Sequence, residues 1–458
     1  NLFYRRYYRL SEHGDARGLL FWNADFFQWD ESLCRWLLVE EQALRTKVYK
    51  VLGEGRYWHV KADGTSSWVP VKPTPMIVSA VLDAMRAVAH LPNTVGVNEW
   101  LDGRPKTKGR YVHFRNGHLA VGKNGVESLL SPSPLMFNHN ALPFEYEPEG
   151  SEPTEWLKFL GSVWEDKTAI RLLQEWFGYV ISGDTSFQKM LFMVGPPRSG
   201  KGTISRVLTD LMGQDQVAAP TLHSIGANFG LYPLIGKPLG IIADARFSGR
   251  NATEVVERLL SISGEDMLDI DRKNRDPWTG QLPTRLMLSS NETPSLHESS
   301  GAFASRVLML SMVNSFVGHE DRNLPSRLRA EYPAIIRWGL AGLARLVARG
   351  YFTTSRSAEQ AQEELRGLAS PVATFVEETC VVGDPEASVV AADLYEMFRL
   401  WSRDLGVERI SDSARFGRDL RAAIPRVERV RVRDGKALVW VYRGISITKE
   451  ARRSILGG

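Results

Sequence analysis

Short apolar runs alternate with stretches of helical spacing through the middle of the chain. KMLFMV is a short apolar run ending at a glycine-rich stretch, PLGIIADAR and TRLMLSSNE are short apolar runs ending in polar residues, and ISRVLTDLM repeats its apolar positions every three or four residues. Three such strands separated by helical stretches predict an α/β sheet with its chemistry at the strands' carboxyl ends. Before them, WLKFLGSVW and AIRLLQEWFGYVISG read as helices. Residues 1 to 145 mix short aromatic strands with helices: NADFFQWDESLCRWLLVE as a strand pair, PMIVSAVLDAMRAVAH as a helix, and YVHFRNGHLAVG as a hairpin around Asn116-Gly117. Five prolines between Pro132 and Pro153 suit a linker to the next unit. From about residue 370, AADLYEMFRLWSRDL and SARFGRDLRAAI are helical and VERVRVRD and ALVWVYRG strand-like, the pattern of a small winged-helix module.

At 458 residues the chain has room for two or three cores. No apolar run approaches the ~20 residues that span a bilayer, so no membrane partner is expected, and with no signal-peptide core the expected location is the cytoplasm of a bacterial host cell. Cys34 and Cys380 are far apart and neither belongs to a CxxC pair, which argues against a disulfide framework or zinc ribbon. The net charge of +4 is too small to imply nucleic acid for the whole chain, but residues 411 to 443 hold nine basic against four acidic residues.

The apolar run before residue 195 ends in GPPRSGKGT, so Gly195, Pro196, Pro197, Arg198, Ser199, Gly200, Lys201, Gly202 and Thr203 follow a strand and open a helix. That is the context of a phosphate-binding loop: glycine-freed backbone N–H groups and the helix's positive end meet the β-phosphate, and lysine bridges the β- and γ-oxygens. The expected cofactors are ATP and Mg²⁺. The hydroxyl that usually follows the lysine is displaced by one place. Either Thr203 is the metal ligand or the ion keeps an extra water.

Asp244, at the end of the second strand, is the candidate metal carboxylate, and Ala245 stands where a second acid would polarise water. Glu265, Asp266 and Glu292 are the alternatives for that role. Asn291, at the end of the third strand, is placed to hydrogen-bond the attacking water or the γ-phosphate. Arg306 precedes another apolar strand and is a candidate to stabilise phosphoryl charge across a subunit interface. Arg272, Lys273 and Arg275 crowd one hairpin tip with Trp278 beside them, a combination suited to tracking single-stranded DNA.

The order of these pieces resembles the superfamily 3 helicases, in the branch of phage, plasmid and poxvirus primase–helicases. The resemblance rests on EWLKFLGSVWEDKTAIRLLQEWFGYVISGD, GPPRSGKGT, PLGIIADAR, ISGEDMLDIDRKN, LMLSSNETP and FASRVLML, with FFQWDESLCRW and SPSPLMFNHNALPFEYEP before them and SPVATFVEETC, LYEMFRLW and ARFGRDLRAAI after. It implies an AAA+ type P-loop NTPase core at residues 151–355, an α+β accessory region at 1–150 and a C-terminal winged-helix domain at 356–458. It further implies a homo-oligomeric, usually hexameric, ring that moves 3′→5′ on single-stranded and forked DNA in replication of a phage, plasmid or mobile element, with a primase or other replication proteins as partners. ATP would lie between subunits, with Lys201, Thr203, Asp244 and Asn291 on one side and Arg306 reaching in from the neighbour. No zinc-binding cysteine set or carboxylate triad at 1–150 points to primer synthesis. Nucleoside monophosphate kinases also spell GxPxSGKGT, but their loop usually opens the chain. A DNA-loading ATPase that does not unwind, and a ring scaffold without turnover, are the competing readings.

Overall fold

The computed structural model describes residues 2–10, 13–14, 16–104, 110–247, 252–273, 275–292, 302–354, 371–404, 410–434, 437–449 and 451–452. The amino-terminal part opens with α1 (Leu2–Tyr8), followed by an antiparallel meander of β1 (Leu19–Trp22), β2 (Asp25–Asp30) and β3 (Arg35–Val39). Asn23 and Ala24, both at positive φ (48° and 65°), make its first turn. Next come α2 (Glu41–Glu54), the hairpin β4 (Arg56–Val60) and β5 (Ser66–Pro70), and α3 (Pro75–Ala89). Thr74 caps α3, accepting from the Ile77 N–H at 3.4 Å, and Pro75 stands where no intrahelical donor is needed. The expected hairpin is β6 (Arg110–Phe114) with β7 (Gly117–Gly122), extended by β8 (Gly125–Leu130).

The proline-rich segment after β8 crosses the molecule, but not as a free linker. Phe137 and Leu142 are fully buried, and the Leu142 N–H donates to the His113 carbonyl at 2.8 Å. One hydrophobic core joins Val112, Phe114 and Leu119 to Trp156, Leu173 and Leu343, and so runs through the boundary expected at residue 150.

Helices α4 (Thr154–Val163) and α5 (Lys167–Ile181) lead to β9 (Met190–Val194), and α6 (Lys201–Met212) to β10 (Val217–Ala218) and β11 (Leu239–Ile242). Then follow α7 (Ala252–Ser263), the hairpin β12 (Leu268–Arg272) and β13 (Arg275–Gly280), β14 (Arg285–Ser290), α8 (Ala302–Arg306) and β15 (Val307–Ser311). The expected α/β architecture is present as a five-stranded sheet in the order β10-β11-β14-β9-β15, every pair parallel. Its strands are apolar on both faces because helices cover both. Helices α9 (Leu324–Ala330) and α10 (Tyr332–Arg349) return across it. The fully buried Glu175 of α5 clamps α10 in place, accepting from Arg345 Nε at 2.8 Å, Arg349 Nη2 at 2.9 Å and the Thr353 N–H at 2.6 Å.

A separate carboxy-terminal core gathers Phe375, Phe398, Trp401 and Phe416. It is built from α11 (Pro371–Thr379), β16 (Cys380–Val382), β17 (Ser388–Val390), α12 (Ala391–Asp404), α13 (Ser413–Ala423), β18 (Glu428–Asp434), β19 (Ala437–Arg443) and β20 (Ile445–Ile447). No helix among the described residues is long and apolar enough to cross a membrane. Both cysteines are free, Cys34 buried and Cys380 half-buried.

Candidate nucleotide-binding site

The register of the sheet sets the site. Val194, Ser290 and Ser311 lie level at the carboxyl ends of β9, β14 and β15, so Gly195 and Asn291 leave the sheet side by side. Gly195 is required by a close approach: a Cβ there would fall 2.5 Å from the Met312 carbonyl oxygen. Arg198 (φ 59°) and Gly200 (φ 103°) adopt left-handed conformations that fold the loop back before α6 begins. The loop is tied to the chain beyond β15, with the Phe316 N–H donating to the Arg198 carbonyl at 3.0 Å and Ser315 Oγ to that of Pro197 at 2.9 Å.

Lys201 curls over the loop. Its ammonium donates to the carbonyls of Gly195 and Pro196 (the latter at 2.8 Å) and to Ser199 Oγ at 3.2 Å. Partial burial lowers its pKa from the ordinary lysine value. These are the contacts a phosphate oxygen would exchange for its own.

A cavity of about 690 Å³ opens over the loop, lined by Pro197 through Thr203 and by Asn291. Its other walls come from α4 (Glu155, Lys158, Phe159, Ser162) and from residues 316–327. Lys158, Arg198, Lys201, Arg206, Arg322 and Arg327 give it six cationic side chains against the three acids Glu155, Glu320 and Asp321. That surplus suits a polyanion, while Phe159, Phe316, Leu324 and Pro325 offer an apolar wall. Arg327 pins the rim, donating to Glu155 at 2.6 Å and Asp321 at 2.5 Å, and these bonds hold the Asp321 carboxyl below its usual range. Sequence reading missed this half of the site because its residues come from segments far before and after the loop. Its one local signal was FVGHEDRNLPSR, a charged turn running into a proline-started helix.

The remaining expected residues lie farther out. Asp244 is beyond the end of β11, at the same sheet edge but one strand past β14. Two strand spacings put it ~10 Å from the loop. It takes a left-handed conformation (φ 55°) and its carboxylate accepts from Arg246 at 3.0 Å. Asp244 is not part of the cavity wall, whereas Thr203 is. A hydroxyl and a carboxylate are hard oxygen donors that suit Mg²⁺. Ala245 is fully buried, and Glu265 is engaged by the Thr185 hydroxyl.

Arg306 is at the opposite edge of the sheet, because Val307 pairs with Met190 at the start of β9. It donates to the Leu260 carbonyl near the end of α7. Four residue steps along β15 separate the two edges, ~13 Å, so a chain's own Arg306 is remote from its own loop.

At the β12–β13 hairpin, Lys273 is exposed at the turn. Arg272 is directed inward instead, 8% exposed, its guanidinium donating to both oxygens of Asp25 at 3.0 and 3.2 Å. Trp278 is core rather than a stacking platform, buried with Ile270 and Leu282. Arg275 opens β13, and its side chain lies outside the described residues. Asn23 Nδ2 donates to the Thr279 carbonyl at 3.1 Å, so the β1–β2 turn grips this hairpin at two points.

Residues 193–306, about a quarter of the chain, match DUF5906, a family of unknown function. Three similar solved structures are of the C-terminal region of NrS-1. The A-form apo structure of that region is 12% identical, with 93% of this chain and 97% of that chain covered at a TM-score of 0.49. A second A-form apo structure, of residues 305–718, is 13% identical, covering 93% and 96% at 0.50. The apo structure of the same residues is 14% identical, covering 94% and 96% at 0.48. At such identities the likeness bears on fold alone, and the second structure supports the mixed α/β architecture.

Proposed function

We propose that this chain is an ATP-driven DNA motor of the superfamily 3 helicase type, with an AAA+ type core and a C-terminal winged helix. The observation that carries the reading is the convergence of Lys201, Thr203 and Asn291 on one cation-rich cavity with an apolar far wall. A nucleoside triphosphate has that polarity, anionic at one end and flat and apolar at the other. Loop N–H groups and the amino end of α6 bind the β-phosphate, and Lys201 leaves its carbonyl partners to bridge the β- and γ-oxygens. Asn291, level with the loop, orients the attacking water or the γ-phosphate. Thr203 and Asp244 are the residues that would hold Mg²⁺, which would supply charge neutralisation on the phosphates.

Arg306 acts in a neighbouring subunit's site, a role supported by its distance from its own loop. The assembly is then a homo-oligomeric ring, a hexamer in this reading. Lys273 at the exposed hairpin turn meets the phosphates of the tracked single strand. Arg272, held by Asp25, fixes the hairpin rather than touching DNA. Replication of a phage, plasmid or mobile element is the expected setting, with forked DNA as substrate and a primase or other replication proteins as partners.

One observation favours the alternative of a DNA-binding ring scaffold without turnover, for which no hydrolysis under any condition would speak: Asp244 is occupied by Arg246 and no second acid follows it. The first experiment is ATP hydrolysis with and without single-stranded DNA, on protein whose mass is measured in the same buffer. Stimulation in a ring-sized assembly is expected, followed by strand displacement. A monomer indifferent to DNA, but active once a nucleoside monophosphate is supplied, would replace the motor with a kinase. Stimulated hydrolysis without strand displacement would leave the loader.

A further inference from the structure

The basic run near the carboxyl end becomes a shaped surface once folded. In β18 the odd-numbered residues share a face, and the register sets Arg429 opposite Tyr442, Arg431 opposite Trp440 and Arg433 opposite Leu438. Arg429, Arg431 and Arg433 are all exposed, as are Trp440 (41%) and Leu438 (61%). Strand alternation turns Glu428 to the other face, beside Arg443. The three guanidiniums therefore stand in a line ~14 Å long, two residue-pair spacings, with no carboxylate between them on that face.

Two of the arginines are stiffened by the indole. Arg429 Cζ lies 4.6 Å and Arg431 Cζ 5.1 Å from the Trp440 ring centroid. An aromatic so engaged holds charge in position and is not an open platform for a base. Helix α13 continues the surface. Its Gly417 packs under the Tyr442 hydroxyl, and both Arg421 and Arg429 act electrostatically on that hydroxyl. Arg418 is exposed on the same helix, and Arg415 has only a 3.8 Å contact with Asp419.

From this geometry we infer that the α13 and β18–β19 face binds the sugar–phosphate backbone of duplex DNA, as a contact distinct from the hairpin at Lys273. A line of exposed guanidiniums, two of them held by the indole, complements a polymer whose charges also recur along a line. The engaged Trp440 argues for a duplex, because single-strand binding relies on open aromatic faces. The surface recognises backbone rather than sequence, since it presents cations and no amide or carboxylate pattern for base edges.

The test uses the full chain without nucleotide, in a Lys273→Ala background that removes the other expected DNA contact. Anisotropy of a fluorescein-labelled duplex is followed at several salt concentrations, beside a labelled single strand of equal length and an acidic polypeptide. Changing Arg429, Arg431 and Arg433 together to alanine should weaken duplex binding at least about tenfold and flatten the slope of log K against log salt by about 2.7. Changing the same three to lysine should recover most of both, which separates lost charge from lost folding. Unchanged duplex affinity and slope would overturn the assignment. A loss confined to the single strand, or to the acidic polypeptide, would overturn it as well, by naming a different occupant.

Discussion

Lys201 holds its site together in two ways. Its ammonium satisfies the Gly195 and Pro196 carbonyls, and in the proposed mechanism it transfers to the phosphates. Lys201→Ala should lower ATP turnover by about a hundredfold or more, read by phosphate release, and wild-type turnover in that variant would remove the site assignment. Elsewhere a single chain of bonds fixes the state of two buried histidines. The Ser133 N–H donates to His118 Nε2 at 3.2 Å, His118 Nδ1 meets His113 Nδ1 at 2.9 Å, and His113 Nε2 meets Asn98 Oδ1 at 2.9 Å. Only neutral rings satisfy this order, with His118 donating to His113 and His113 to Asn98. Burial lowers the His118 pKa from 6.5 to about 4, and burial with His118 beside it pushes that of His113 well below its ordinary value. The unfolded chain therefore binds more protons than the folded one between these values. The His118 contribution to stability is fully present above about pH 6.5 and is lost as the pH falls toward 4, by about 1.4 kcal/mol per pH unit. Urea midpoints of the wild type and His118→Gln at pH 7 and pH 5 should diverge, the variant being less sensitive; parallel behaviour would show that His118 carries none of the loss.

At the scale of elements, the hairpin β12–β13 shows what sequence could and could not supply. Its strands and exposed Lys273 were legible from IDRKNRDPW, because alternation and a polar turn are local signals. The fates of Arg272 and Trp278 were not, since each is decided by a partner distant in sequence. Asp25 neutralises the arginine, and the core around Ile270 takes the indole. The order of strand, glycine-rich turn and helix around Gly195 to Thr203 was legible for the same local reason, since the three follow one another in the chain. The cavity's far wall was not, because α4 and residues 316–327 come together only through the core. The Asp25–Arg272 pair makes the hairpin's position depend on the accessory region. Asp25→Asn should leave DNA-free ATP turnover unchanged while stimulation by single-stranded DNA falls, measured in paired assays. Full stimulation in the variant would show that the hairpin needs no such support.

For the whole molecule, the arrangement of the two sheet edges carries the argument for assembly. The loop lies at one end of the strands and Arg306 at the other, so in the proposed mechanism Arg306 acts on phosphates held by another copy. Arg306→Ala should lower turnover roughly a thousandfold while nucleotide binding, read by fluorescence of a labelled analogue, stays near wild type. Mixing it with Lys201→Ala subunits should restore activity in exchanging rings, since some interfaces then hold one intact loop and one intact arginine. Activity that stays absent from mixtures shown to exchange would return Arg306 to its role at the end of α7. A final consequence belongs to the core that crosses residue 150. A ribosome delivers Phe114 and Leu119 early, yet the same core is completed by Leu343 and Phe352. Strands β6 and β7 therefore wait, part of their apolar surface uncovered, until α10 has emerged. A gene shortened to begin at residue 151 encodes a parallel sheet with an open flank, and its product should be taken by proteases faster than the full chain.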